Sequence, residues 1–509
     1  MEAILSRTPI FYALLAMMVL ATVGLLVVAP ALAPLPLLGA VGGWWVCRQP
    51  LRTLTLALFA AAVTVDLVPE VPYEGDWQSP LYFPGKLLYT LPGMSLPLLD
   101  LGVLGFLGLM IYRRATRMTI DPTPLPISRP VLIALGVLVA TIFWLQVWGI
   151  GVNGGVGRVS KTQWHQMLVM PLMVLLFNAA LRGPDDFRVI GRIIIVGCFT
   201  KAFLGAWFIV MIARPRGYYF EYATTHSDSV LYVTGLASVI WSWAEKPIRK
   251  HFWRMVCVCA VIFMGMHYND RRLAYVSFNL GLFACFFISP WSGVKRKATR
   301  LGLLVLPLLP LYLSIGWQNP QGIFAPVGIF KSLVEGENLA KGQLDYRDIE
   351  NIDVVATWQR NPLLGTGWGH PFDEVIKLPD ISHAFADYLY FPHNSVLSML
   401  AFGGVLGFSG LWMWVPIGIF LAVRAYHRAH PPEHRAGGLV ALSVFVAYIN
   451  QAFGDMGNIS WLANVLVAMA MACINQLALS TGAWPSPLTQ PTSEVSEAEN
   501  STGPMGTPA

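Results

Sequence analysis

The sequence predicts an all-α fold, a polytopic bundle of transmembrane helices. Three observations carry this. Hydrophobic residues make up 55% of the 509 positions and charged residues only 12%, where soluble domains carry about 25% charged residues. Apolar runs of spanning length recur along the chain. The lysines and arginines between them fall in alternate connections.

A membrane-crossing helix needs about 20 predominantly apolar residues. About fourteen stretches qualify, near 10–29, 31–47, 53–69, 93–112, 130–150, 166–181, 189–213, 229–243, 254–268, 272–290, 301–316, 394–423, 437–453 and 459–479. Arg7, the run from Ile10 to Val28 and Ala31-Leu32-Ala33 have the general form of a signal peptide. The run is long, however, and a second follows at once, so an uncleaved first helix is expected.

The connections test this count. Arg48 and Arg52; Arg113, Arg114 and Arg117; Arg182, Arg188 and Arg192; Lys246, Arg249, Lys250 and Arg254; Lys295, Arg296, Lys297 and Arg300; and Arg424, Arg428 and Arg435 all fall on one side if every stretch spans. By the positive-inside rule that side is the cytoplasm. A miscounted span would have scattered them. The net charge of +6 is thus an orientation signal, and no basic run suggests nucleic acid.

The other side carries the segment 70–92 with Glu70, Glu74 and Asp76, the segment 214–228 with Arg214, Arg216, Glu221, His226 and Asp228, and a long loop near 317–393. That loop has a helical part from Asp345 to Gln359, then a Pro/Gly turn from Pro362 to Gly369. Loops of this length are usually functional. The organisation expected is one membrane domain over residues 1–483 and a disordered cytoplasmic tail over 484–509, rich in Pro, Ser, Thr and Glu.

Six cysteines lie in or beside apolar runs, with no Cys-x-x-Cys pair and no zinc spacing. Walker A, G-x-S-x-G and H-E-x-x-H motifs are absent from the sequence, as is an Asp-x-Asp metal motif on an outer loop. No metal site and no cofactor are therefore expected.

Four outer features stand out. Arg271 and Arg272 follow Asn269-Asp270 and break the positive-inside trend. They anchor helix ends among headgroups, or they clamp an anion with their fixed fork of donors. Arg347, in Leu344-Asp345-Tyr346-Arg347-Asp348, either pairs locally or binds substrate. His393-Asn394 stands at the start of a span, and a histidine is the usual general base near neutral pH. Gly403, Gly404, Gly407 and Gly410 read as a helix-packing face with no chemistry. Inside the bilayer, Lys201 and Asp100 are costly to bury and serve as an ion pair or a transport element.

The string Asn361-Pro362-Leu363-Leu364-Gly365-Thr366-Gly367-Trp368-Gly369, then His393-Asn394-Ser395-Val396-Leu397, then Gly403-Gly404-Val405-Leu406-Gly407 resembles the O-antigen ligase/polymerase superfamily (Wzy/WaaL type). The strong match covers about residues 345–410, with weaker support over 265–290. The upstream family arginine corresponds to Arg347. An Arg-x-Ala element corresponds to Arg272-Leu273-Ala274, although the preceding residue here is Arg271 where the family commonly has Ser.

The resemblance implies a GT-C-like membrane glycosyltransferase that works without a metal in the bacterial inner membrane, with its site on the periplasmic side. The donor implied is a glycan on undecaprenyl diphosphate, and the acceptor is a glycan or a lipid A core. Its setting is O-antigen or exopolysaccharide synthesis, with envelope polysaccharide-assembly proteins as possible partners. The catalytic residues implied are His393, Arg347 and Arg272. Arg271, Asn394 and Arg216 are assigned to substrate binding. The competing readings are a transporter or flippase of lipid-linked sugars that uses Lys201 and Asp100, and a non-catalytic assembly subunit.

Overall fold

The computed structural model describes residues 35–65, 97–217, 223–319, 345–383 and 385–484, apart from single positions in the 119–124 turn, and isolated residues elsewhere. The expected span near 10–29 lies outside the described residues except at Val19, Leu20 and Val23. The segment 70–92, residues 332–344 of the long loop and the tail beyond Trp484 lie outside them entirely.

Regular structure among the described residues is wholly helical. In chain order the helices are α1 (Leu35–Val46), α2 (Leu51–Thr64), α3 (Leu98–Ala115), α4 (Arg129–Gln146), α5 (Gly157–Ala180), α6 (Phe187–Trp207), α7 (Asp228–Glu245) and α8 (Arg249–Asn269). They continue as α9 (Arg272–Ile288), α10 (Gly293–Val305), α11 (Leu309–Gln318), α12 (Tyr346–Arg360), α13 (Ser395–Trp412), α14 (Trp414–Arg428), α15 (Pro432–Gly454) and α16 (Trp461–Ser480). Each expected apolar stretch from 31–47 onward coincides with one of these helices or with a broken pair.

Seven helical stretches among the described residues are long and apolar enough to cross a membrane. Of the remaining helices, α2 and α9 are apolar but short. Others carry buried polar groups near their starts: Asp100 in the first turn of α3, Gln163 in the second turn of α5 and Asp228 at the first position of α7.

The most enclosed helix is α16, with 94% of its apolar window buried. Apart from the buried, hydrogen-bonded amides Asn464, Asn475 and Gln476, its sequence is apolar round the helix, as a helix surrounded by others requires. It packs on α5, α14 and α15, while α15 packs on α7, α9 and α14.

One end of the bundle is basic, as the alternation of charged connections requires. There Arg113 pairs with Asp121 at 2.6 Å and also donates to the carbonyls of Cys47 and Gln49. Arg52 pairs with Asp186 at 2.5 Å, Arg188 with Glu433 at 2.8 Å and Arg435 with Glu245 at 2.9 Å. These pairs join connections distant in sequence into one layer.

The stretch 394–423, read from sequence as a single span, is broken. Gly404 has φ 58° and ψ −170°, outside helical space. A break frees backbone groups from the helix, and the loop after α12 bonds four of them. Val405 and Leu406 donate to the carbonyls of Pro362 and Leu363, at 2.8 and 3.2 Å. Thr366 and Gly367 donate to the carbonyls of Ala401 and Phe402, at 3.1 and 2.8 Å. The glycine series is therefore more than a helix-packing face. Leu145 of α4 packs where a side chain on Gly407 would go, and Thr141 does so at Gly410. Gly404 instead admits the backbone of Leu363.

Candidate active site

The end opposite the basic layer gathers the tips of α7 to α9, the outer helix α12, the start of α13 and the corner between α15 and α16. A plug formed by residues 361–370 holds this end together. Trp368 is buried and its amide donates to the carbonyl of Leu145 at 3.2 Å. Gly369 donates to Gln163 at 2.6 Å, and Val156 donates to the carbonyl of Gly369 at 2.8 Å. The plug thus bridges α4, α5 and the break in α13.

Helix α12 starts where the Asp345 side chain accepts the Tyr346 amide. Its inner face carries Glu350, Asp353 and Thr357, all buried. The spacing of three and four puts them on one stripe. Asp353 accepts the amides of Val375 and Ile376, each at 2.9 Å, and Thr357 accepts that of Asp373 at 2.8 Å. The stripe fixes the loop that leads to His393.

Glu350 meets His393 directly. The His393 backbone amide donates to Oε2 at 2.8 Å, and ring Nδ1 lies 3.1 Å from both carboxylate oxygens. An ionised carboxylate only accepts, so Nδ1 carries the hydrogen and the neutral ring keeps its lone pair on Nε2. The Glu350 side chain is 1% exposed and that of His393 27%. The dyad is therefore a covered carboxylate behind an accessible imidazole. Tyr346 stacks edge-on against the ring at 5.9 Å. Burial and then the Glu350 charge push its hydroxyl pKa up, so it stays protonated.

Arg347, one turn before Glu350 on α12, is exposed and donates to the carbonyl of Gly454 at 3.2 Å. The next residue, Asp455, accepts from His226 Nδ1 at 2.6 Å. Arg271 Nη2 lies 2.8 Å from His226 Nε2. Guanidinium only donates, so Nε2 accepts and Nδ1–H points at Asp455. Burial raises the Asp455 carboxyl, but the His226 hydrogen bond, the Met456 amide and the Arg347 charge outweigh it, and the net shift is downward. Ser395, two residues after His393, donates to the Asp455 carbonyl at 3.1 Å. Both arginines and the histidine dyad therefore converge on the α15–α16 corner.

Of the residues expected from sequence, His393, Arg347 and Arg271 come together here. Arg272 opens α9 with its side chain exposed, while the half-buried Arg271 beside it meets His226. Asn394 caps α13, its side-chain oxygen accepting the Leu397 amide at 3.1 Å, and it is only 5% exposed. Arg216 ends the single turn Arg214–Arg216, and its side chain lies outside the described part. Three partners were not singled out from sequence: Glu350, His226 and Asp455. Glu350 was within reach, because it sits three residues after Arg347 and heads the polar stripe Glu350, Asp353 and Thr357 on one face of α12.

The two intramembrane charges do not meet each other. Lys201 pairs with Asp228 at 2.5 Å, with both side chains buried. Asp100 lies 2.8 Å from His165 and accepts from Trp461 Nε1 at 2.7 Å. Each charge has a partner on another helix and ties neighbouring helices together.

No curated protein matches the chain. Residues 222–413 match the family model Wzy_C, described as O-antigen ligase, and this segment contains His226, Arg271, Arg272, Arg347, Glu350 and His393. The match covers under half of the chain and supports a similarity of this segment to the O-antigen ligase/polymerase superfamily.

Proposed function

We propose that the chain transfers a glycan from undecaprenyl diphosphate to a sugar hydroxyl at the periplasmic face of the bacterial inner membrane. The observation that carries this reading is the Glu350–His393 dyad beside Arg347 and Arg271, at the end opposite the basic layer. In this reading His393 Nε2 takes the proton of the acceptor hydroxyl as its oxygen attacks the anomeric carbon. The bond from that carbon to the diphosphate oxygen breaks, and the electron pair leaves with the diphosphate. Glu350 stabilises the imidazolium that forms. Arg347 and Arg271, with Arg272 beside them, stabilise the charge gathering on the leaving group. Protein side chains supply all of that charge, so chelator treatment is expected to leave the reaction intact.

The acceptor is either a second lipid-linked glycan, which makes the protein a polymerase, or a lipid A core, which makes it a ligase. The deciding experiment compares a deletion strain complemented with wild type, His393→Ala or Arg347→Lys. Both variants should insert normally and make no product, since lysine is a point charge that cannot reproduce a bidentate phosphate contact. Wild-type polysaccharide from His393→Ala would end the proposal. Single repeats left on the carrier indicate a polymerase, and long chains left on the carrier indicate a ligase.

A further inference from the structure

At the basic end, remote from the dyad, a cavity of about 280 Å³ opens between α2, α6, α7, α15 and α16. Its walls are apolar, among them Phe59, Ile194, Val440 and Leu466. Two of the three hydroxyls on its α7 wall turn back into their own helix: Thr234 donates to the carbonyl of Val230 at 2.7 Å, and Ser238 to that of Thr234 at 2.8 Å, while Ser242 lies toward the mouth end of the helix. The walls thus offer few partners to water, and an apolar cavity takes apolar matter.

The mouth is charged. Arg188 and Arg192 line it one turn apart on α6, with Glu433 opposite on α15. Arg188 pairs with Glu433 at 2.8 Å, and Lys246 lies 3.7 Å from the same carboxylate. Three cations against one carboxylate leave the mouth positive. From Glu433 to Val444 the α15 wall rises about 16 Å at 1.5 Å per residue, and half of a hydrocarbon core is about 15 Å thick. The slot is therefore as deep as one leaflet, apolar within and cationic at the interface.

We propose that this slot is a binding site for an anionic diacyl phospholipid of the leaflet at the basic end. One acyl chain lies between α6, α7 and α15, and the phosphate sits on Arg188 and Arg192. The occupant is a bilayer phospholipid rather than the isoprenoid carrier, because the proposed transfer site lies at the other end of the bundle. Only this choice of occupant rests on the proposed transfer reaction; the depth, apolar walls and cationic mouth of the slot do not.

The test is native mass spectrometry of the full-length protein extracted in mild detergent, with lipids identified after release. Wild type should retain phosphatidylglycerol or cardiolipin. The double variant Arg188→Gln/Arg192→Gln should lose it, and so should Ala441→Leu, which fills the slot but keeps both arginines. Arg424→Gln, which removes a basic-end charge outside the slot, should retain it. Delipidated wild type should also melt at a higher temperature with added phosphatidylglycerol than with phosphatidylcholine, a readout that needs no variant. Lipid-free wild type, lipid held equally by the slot variants, equal shifts by the two lipids, or an isoprenoid phosphate in the slot would each overturn the proposal.

Discussion

Glu350 holds His393 at two points, the backbone amide at 2.8 Å and ring Nδ1 at 3.1 Å. One carboxylate thereby fixes both the position of the residue and the tautomer of its ring. Glu350→Gln keeps the shape and still accepts the amide, but it offers the imidazolium no counter-charge. We expect transfer from a lipid-linked glycan by purified protein to fall about 10²-fold or more, in the range typical of a lost general base, with donor binding nearly unchanged. Full activity in Glu350→Gln would remove the carboxylate from the mechanism.

The two adjacent arginines differ in their surroundings, and the variants should differ accordingly. Arg271 is half-buried against His226, whereas Arg272 is exposed at the first turn of α9. Arg271→Ala is expected to weaken donor binding by about 10-fold or more, the loss of one charge-assisted contact, and to do so more than Arg272→Ala. His226→Ala should move the same parameter in the same direction while leaving His393 in place. Titration of the donor against the three variants checks the order.

The helical class and the two-sided charge pattern were legible because a bilayer imposes long apolar runs and one basic side. Arg347 and His393 were legible because they sit in short motifs of fixed order. The contacts that unite them were not. Asp455 lies more than sixty residues beyond His393, in a turn with no motif, and only folding brings it to His226. The choice between Arg271 and Arg272 depends on the left-handed residue Asp270 (φ 43°), which ends α8 and sets how the next two side chains leave the corner. The His-Asn motif assigns Asn394 to substrate binding, and in the fold its side-chain oxygen also accepts the Leu397 amide and so caps α13.

Gly404 gives the most direct test of the fold. Its φ of 58° and ψ of −170° belong to a region that essentially only glycine occupies. A Cβ there would come 2.3 Å from the carbonyl carbon of Leu363. Gly404→Ala should cost about 1–3 kcal/mol in backbone strain on top of the clash with Leu363, with loop 362–367 released from the break. A lower melting temperature together with new protease cleavage near Leu364 would report both effects. Gly410→Ala meets only the Thr141 side chain and should leave that loop protected.

Asp455 provides a pH-dependent prediction. Its pKa is lowered in the folded protein, with burial opposing the shift and His226, Met456 and Arg347 driving it. A carboxylate with a depressed folded pKa contributes stability that is fully present above the unfolded value. That stability is lost as pH falls through the folded value. The unfolded value for Asp is about 3.9. The melting-temperature gap between wild type and Asp455→Asn should therefore hold steady from neutral pH down to about 5 and close below about 3.9. A gap unchanged to pH 3 would mean that the carboxylate does not titrate against His226 and Arg347 as its surroundings require. The same variant leaves His226 without an ionised partner, so Arg271 loses its fixed orientation. Donor affinity at neutral pH should then fall in parallel with that of His226→Ala.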